Sequence, residues 1–167
     1  GTQAELCAAQ DFCYALAPGE ALRVQLSNLF GDATVSVDAA GIAFSQGGGA
    51  IDATSHVALT FGGAPAVDLA PGEERWSDFV PFPLPDEADL AVSLHLAAGP
   101  VRSVHALGQQ TAYVAAGNVV SADALTTEDP AQSYYWLSRI DVRGAAAPRA
   151  EGRGRREAAS RSRAAAA

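Results

Sequence analysis

The chain has 167 residues and a formal net charge of −8, and all of its basic residues are arginine. This length suits one domain with a tail, and the acidic charge argues against nucleic acid or anionic lipid as a partner, because binding phosphates requires clustered Lys and Arg. No run of apolar residues reaches the roughly 18 needed to cross a bilayer, so no membrane span is predicted.

Residues 1–19 are predicted to form an irregular N-terminal segment, and their main feature is the pair Cys7 and Cys13. The spacing suits a local disulfide if the protein is exported to an oxidising compartment. Two buried thiols, or one free thiol, remain the alternative. With neither a nearby His nor a second Cys pair, these residues cannot fill the tetrahedral coordination of zinc.

Alternating apolar residues predict a series of short strands, beginning after the Pro-Gly turn at residues 17–20. The first of these strands should direct three side chains inward: Leu22, Val24 and Leu26. Its outward side chains should then be Arg23, Gln25 and Ser27. Further short strands are predicted around residues 35–37, 42–44, 57–61 and 67–69.

Residues 89–96, with the sequence DLAVSLHL, form the clearest strand and the predicted centre of the fold. One side of this extended segment should enter the core, with Leu90, Val92, Leu94 and Leu96. The other side should lie nearer water, with Asp89, Ala91, Ser93 and His95. Three prolines at 81, 83 and 85 precede it and indicate an edge strand or a connection, because proline cannot donate a ladder hydrogen bond.

The complete pattern is typical of an all-β, jelly-roll-like β-sandwich over residues 20–143, since short strands and turn signals alternate without an amphipathic helix. The last extended piece is predicted at residues 134–142. Residues 144–167 are rich in Ala and Arg and contain no aromatic residue. Such a tail cannot offset its chain entropy by burial, so it is predicted to be disordered or weakly helical.

No catalytic, cofactor or metal site is predicted, because the required spacings are absent. Residues 31–33 read Gly-Asp-Ala, with alanine where a Gly-Asp-Ser block carries its nucleophile. The chain has no G-x-S-x-G elbow and no D-x-x-H pair. His56, His95 and His105 lack the spacing of metal ligands, and structural or surface roles are expected for them.

A ligand, if one binds, is expected to contact Trp76 or the loop that contains His105 and Gln109. Exposed aromatic rings can stack on sugars, although Trp76, Trp136 and the tyrosines at 134 and 135 are also what a sandwich core of this size needs. A lectin-like binding module is therefore one hypothesis for the function of the chain.

Six segments in order carry a family resemblance. They are residues 23–31 (RVQLSNLFG), 58–63 (ALTFGG), 77–78 (SD), 89–94 (DLAVSL), 105–111 (HALGQQT) and 136–142 (WLSRIDV). At these distances they resemble the N-terminal β-sandwich domain of secreted bacterial SGNH (GDSL-type) hydrolases. The likeness covers about residues 20–143 and departs from the family at the Cys7 to Cys13 region.

The resemblance implies an ancillary domain of an esterase or lipase, located outside the cytoplasm. In such proteins an α/β catalytic domain follows the last strand and supplies the Ser, the oxyanion residues and the D-x-x-H pair. Here the Ala- and Arg-rich tail follows Val142 instead, so the chain is expected to be inactive alone. Its expected partner is the missing catalytic domain, and its expected ligand is a carbohydrate or an acyl ester. Asn28 belongs to the sandwich and is not the oxyanion asparagine. The absence of methionine indicates a start upstream of Gly1.

Overall fold

The structure is a computed structural model that describes residues 19–85, 88–96, 104–105, 111–125 and 133–144. For residues 104–105 and for Tyr134 it describes the backbone alone. The predictions made for Cys7, Cys13, Gln109 and the tail from residue 145 lie outside the described residues.

The described residues form β-strands and one short 3-10 helix, which lies at Ala53–Ser55. The strands are β1 (Gly19–Ser27), β2 (Val35–Gly47), β3 (Ala50–Ile51), β4 (Val57–Ala58), β5 (Val67–Leu69), β6 (Glu74–Trp76), β7 (Val80–Leu84), β8 (Leu90–Leu96), β9 (Val104–His105), β10 (Tyr134–Tyr135) and β11 (Leu137–Gly144).

Two antiparallel sheets make up the body of the fold. In sheet I, β1 pairs with β11 along one edge and with β6 and β7 along the other. In sheet II, β2 pairs with β8, β5, β4 and β3. Strands β9 and β10 form a separate two-stranded ribbon. The prediction of an all-β sandwich is confirmed.

One hydrophobic core joins the inner faces of the two sheets. Leu22, Val24 and Leu26 of β1 are fully buried, as the alternation predicted, and they belong to the same cluster as Val92 and Leu94 of sheet II. Across the sandwich, the rings of Phe44 and Phe82 lie 4.9 Å apart between centroids. Contacts of this kind, summed over both sheets, provide the main apolar stabilisation of the domain.

Strand β2 corrects the prediction of two short strands around residues 35–37 and 42–44. It is one strand of 13 residues with a register irregularity between Val37 and Ala39. Val37 points into the core before this point, and Ala40 and Ile42 point into it afterwards. A bulge of this kind adds a residue and reverses the alternation, which in sequence looks like the end of one strand and the start of another.

Strand β8 shows the predicted alternation on its inner side, where the four aliphatic side chains are all buried: Leu90, Val92, Leu94 and Leu96. The expectation that its other side lies near water is wrong for Ala91 and Ser93, which are also buried. Ala91 packs against Ala43 and Ile51, so chain from β3 covers this outer side. Within the described residues β8 pairs with β2 alone, and β2 rather than β8 is the strand that organises sheet II.

The proline segment forms β7, and its described pairing is with β1. Pro81 and Pro83 are exposed, whereas Val80, Phe82 and Leu84 are buried. The prolines therefore occupy the outward positions. Within the described residues β7 pairs with β1 alone, so an N–H missing from its unpaired edge costs no ladder hydrogen bond.

Asn28 holds together the two turns at one end of the sandwich. Its side chain is fully buried, and Nδ2 donates to the carbonyl oxygens of Ala33 and Leu69, each at 2.9 Å. Its own carbonyl accepts from Gly31 and Gly72. A Cβ on Gly31 would collide with Asn28 Oδ1, so glycine is required there.

Ser77 and Asp78, which lie between β6 and β7, connect β1 with the turn at residues 61–64 through hydrogen bonds. Ser77 Oγ accepts from Val24 N–H at 2.9 Å, and Ser77 N–H donates to Val24 O at 2.8 Å. These bonds continue the pairing of β1 across the gap between β6 and β7. The Asp78 carboxylate accepts from Thr60 Oγ1 at 2.7 Å and from the N–H groups of Gly62 and Gly63 at 3.1 and 2.8 Å.

We expect Asp78 to make folding stability depend on acid pH. The Gly63 N–H, the Thr60 hydroxyl and the Gly62 N–H favour the carboxylate and lower the pKa of Asp78. Because the folded pKa lies below the unfolded one, the stabilisation is present above about pH 4 and is lost as the pH falls through the folded pKa. Asp78→Asn should therefore lower the urea midpoint at neutral pH and reduce the difference between neutral and acid midpoints.

The matched control for this substitution is Asp89→Asn, because the structure gives Asp89 no side-chain hydrogen bond to a described residue. Equal changes in the pH dependence of the urea midpoint for the two variants would contradict the role assigned to Asp78.

Candidate ligand-binding face

The outer side of sheet I carries a group of arginine and aromatic side chains. Because Leu22, Val24 and Leu26 point inward, the residues between them on β1 point outward, together with the residues paired directly opposite. Arg23 pairs with Asp141, and Gln25 pairs with Arg139 on one side and Trp76 on the other. We call this surface the arginine–aromatic face, and its residues are Arg23, Gln25, Trp76, Phe79, Arg139, Asp141 and Arg143.

Guanidinium groups and rings alternate along this face. Arg23 Cζ lies 4.3 Å from the centroid of the Trp76 ring and 4.7 Å from that of Phe79. Arg143 Cζ lies 4.0 Å from the same Phe79 ring. These distances are within the range of cation–π attraction, so the stack fixes the orientation of both rings.

Arg23 is also held from the β11 side by Asp141. Arg23 Nε donates to Asp141 Oδ2 at 3.0 Å, and Nη2 lies 2.9 Å from the same oxygen. The pair is partly exposed, so its main effect is to position the guanidinium and not to stabilise the fold.

Gln25 lies in the middle of this surface and has an unsatisfied group. The residue is only 8% exposed, and its Oε1 is buried without a hydrogen-bond partner among the described residues. A buried acceptor without a donor costs free energy, and native structures contain few of them. Because Oε1 itself is buried, a bound donor could reach this acceptor only after the Gln25 side chain rotates toward the surface.

The charge of this face differs from that of the whole chain. Of the four arginines that the structure describes, three lie here, whereas the chain has a net charge of −8. Arg139 and Arg143 are exposed. In the part of the chain that the structure describes, Arg139 has no ion pair or hydrogen bond from its side chain. The face can therefore attract an anion on an otherwise acidic domain.

Of the predicted ligand contacts, Trp76 lies on this face and is half-buried. His105 pairs with Tyr134 through the backbone of β9, and its side chain, like Gln109, lies outside the described residues. Trp136 is buried in the core and is therefore not an exposed ring. Its backbone has a positive φ of 58°.

Arg139, Arg143 and Phe79 were not predicted to share a face with Trp76. The alternation along β1 and β11 showed which side chains point outward. It did not show that β11, about 115 residues later in the chain, pairs with β1, because register between distant strands is not encoded in local periodicity.

His56 and His95 lie on the outer side of sheet II, although they belong to different segments. His95 Nδ1 is 3.7 Å from Asp38 Oδ2, and a Cβ on Gly41, the residue opposite Ser93, would collide with His56 Nε2. No hydrogen bond joins Ser93 to His56. The two residues therefore lack the serine–base contact that activates a nucleophile.

Within the described residues no group of three or more His, Cys, Asp or Glu side chains could hold a metal ion. The same part of the chain contains no helix long and apolar enough to cross a membrane.

No protein-family model matches the chain, and a search of curated proteins finds no similar sequence.

Proposed function

We propose that the chain is the ancillary β-sandwich domain of a secreted bacterial SGNH-type esterase or lipase, and that the ester-cleaving residues belong to a separate catalytic domain. The proposal starts from the six segments named above. What supports it is the way their polar residues are used in the fold.

The observation that carries the proposal is that the distinctive residues of three segments are structural and bond to one another across the fold. Asn28 and Gly31 of the first segment close the turn at the end of β1, and the Asn28 side chain is buried beneath it. Thr60 of the second segment is hydrogen-bonded to Asp78 of the third. Ser77 returns from the third segment to β1 of the first. These hydrogen bonds hold strands and turns together, which supports a scaffold role for the three segments rather than a catalytic one.

The proposal predicts that the purified chain has no esterase activity of its own. On short p-nitrophenyl esters we expect turnover no faster than in buffer, since Ser93, which lies opposite Gly41 and thus on the side of His56, has no hydrogen bond to that base. Turnover that survives repurification and is abolished by a serine-directed inhibitor would contradict the inactive role.

The second test concerns the gene and not the chain. The coding sequence beyond the codon for Val142 should contain, in one of its reading frames, a Gly-Asp-Ser block followed by a D-x-x-H pair. A complete downstream sequence without these blocks would refute the assignment to an SGNH hydrolase.

A stand-alone carbohydrate-binding module is the second candidate function. The specific observation that favours it is the arginine–aromatic face, which places the half-buried Trp76 beside exposed arginines and the unsatisfied Gln25. The two candidates differ in their tests, because a binding module needs no catalytic blocks downstream.

A further inference from the structure

We propose that the arginine–aromatic face binds an acidic polysaccharide through the carboxylate, the hydroxyls and the C–H surface of a uronic acid residue. The inference goes beyond the ancillary role and gives the second candidate function a ligand class. It depends on residues of this chain alone, so its failure would leave the assignment to an SGNH hydrolase untouched.

The carboxylate is the group that the exposed arginines select. Arg139 is exposed and has no ion pair among the described residues, and Arg143 is exposed with its guanidinium over the Phe79 ring. Arg23 already binds a carboxylate, that of Asp141, on the same surface. Guanidinium groups bind carboxylates through short charge-assisted hydrogen bonds, so an anionic sugar is favoured over a neutral one.

A ligand hydroxyl group would satisfy Gln25 once its side-chain amide rotates toward the surface. Its Oε1 is buried and has no donor, and its position between Arg139 and Trp76 places it beside both an anion-binding group and a ring. A carboxylate has no proton to donate at neutral pH, whereas each sugar hydroxyl does. A carboxylate alone would therefore leave this acceptor unsatisfied.

The ring of Trp76 provides the apolar surface. Arg23 covers one side of the indole and fixes its orientation, and the ring stays half-buried and thus partly accessible. Flat aromatic surfaces at a fixed orientation suit the C–H face of a pyranose, at a low cost in conformational entropy. Together, the three requirements are met by one uronic acid residue.

The experiment is a calorimetric titration of the full chain with polygalacturonate near neutral pH. Fully methyl-esterified polygalacturonate has the same backbone without the carboxylates, and polyglutamate has the carboxylates without the sugar. The tail contributes six arginines that attract any polyanion, and the polyglutamate titration measures that contribution. We expect polygalacturonate to bind more tightly than both.

Two variants test the residues. Arg139→Gln should weaken binding of polygalacturonate by about tenfold or more, since a charge-assisted hydrogen bond is lost. Arg75→Gln is the matched control and should leave binding within about twofold, because Arg75 pairs with Glu73 and lies opposite Leu26, on the inward-facing register.

Gln25→Leu separates a binding role from a structural one. It removes a buried unsatisfied acceptor while keeping the volume, so the urea midpoint should stay the same or rise while polygalacturonate binding weakens. A fall in the midpoint without a change in binding would overturn the role of Gln25. Equal affinity for polyglutamate, equal affinity for the methyl ester, or equal losses for the two arginine variants would overturn the site.

Discussion

Leu94→Ala should destabilise the domain by roughly 2–5 kcal/mol, because it deletes buried aliphatic atoms and leaves a cavity. Leu94 is 4% exposed and belongs to the core cluster shared by both sheets. Against a total free energy of unfolding of about 5–15 kcal/mol, such a loss is large enough to unfold a marginal domain. Urea denaturation measures it directly.

The control is Ser93→Ala, one residue away on the other side of β8. Ser93 is 5% exposed, and the structure gives its hydroxyl no hydrogen bond to a described residue, so its removal should cost under about 1 kcal/mol. Both side chains are buried, which makes the comparison a test of chemistry and not of exposure. Equal losses, or a larger loss for Ser93→Ala, would contradict the core-packing role assigned to Leu94.

The inner face of the sandwich could be predicted from the sequence because burial on one side imposes a period of two on the side chains. Leu22, Val24 and Leu26 on β1 follow this rule, as do the leucines of β8. Prolines gave a second reliable signal, since they restrict β7 to pairing through one side.

The outer faces could not be predicted in the same way. Alternation does not distinguish a side chain that faces water from one that faces a covering segment, so Ala91 and Ser93 were assigned to the wrong environment. The bulge in β2 had a similar effect, because it reversed the alternation after Val37 and divided one strand into two in the sequence.

The candidate site was predicted only in part for a related reason. Trp76 was selected for its type, but a binding face is a property of three adjacent strands and of their register. The pairings of Gln25 with Arg139 and with Trp76 create that face, and each joins residues far apart in the chain. Hydrophobic periodicity contains no information on which of several strands lie side by side.

Asn28→Ala should lower the free energy of unfolding by about 2–4 kcal/mol, a large loss for the substitution of a polar residue. The variant leaves the buried carbonyl of Leu69 without its donor and removes the bond to Ala33 that fixes the turn after β1. Water cannot easily replace the amide, because Asn28 is 0% exposed. The change in urea midpoint gives the loss.

Asn118→Ala provides the same chemical change at an exposed turn. Asn118 accepts one long hydrogen bond, from Val120 N–H at 3.4 Å, and water can take its place, so the expected loss is under about 0.5 kcal/mol. If the two alanine variants lose equal stability, the amide of Asn28 does not hold the turns together. If Asn28→Ala loses several times more stability, the asparagine of the first segment has a structural role, as the proposed scaffold domain requires.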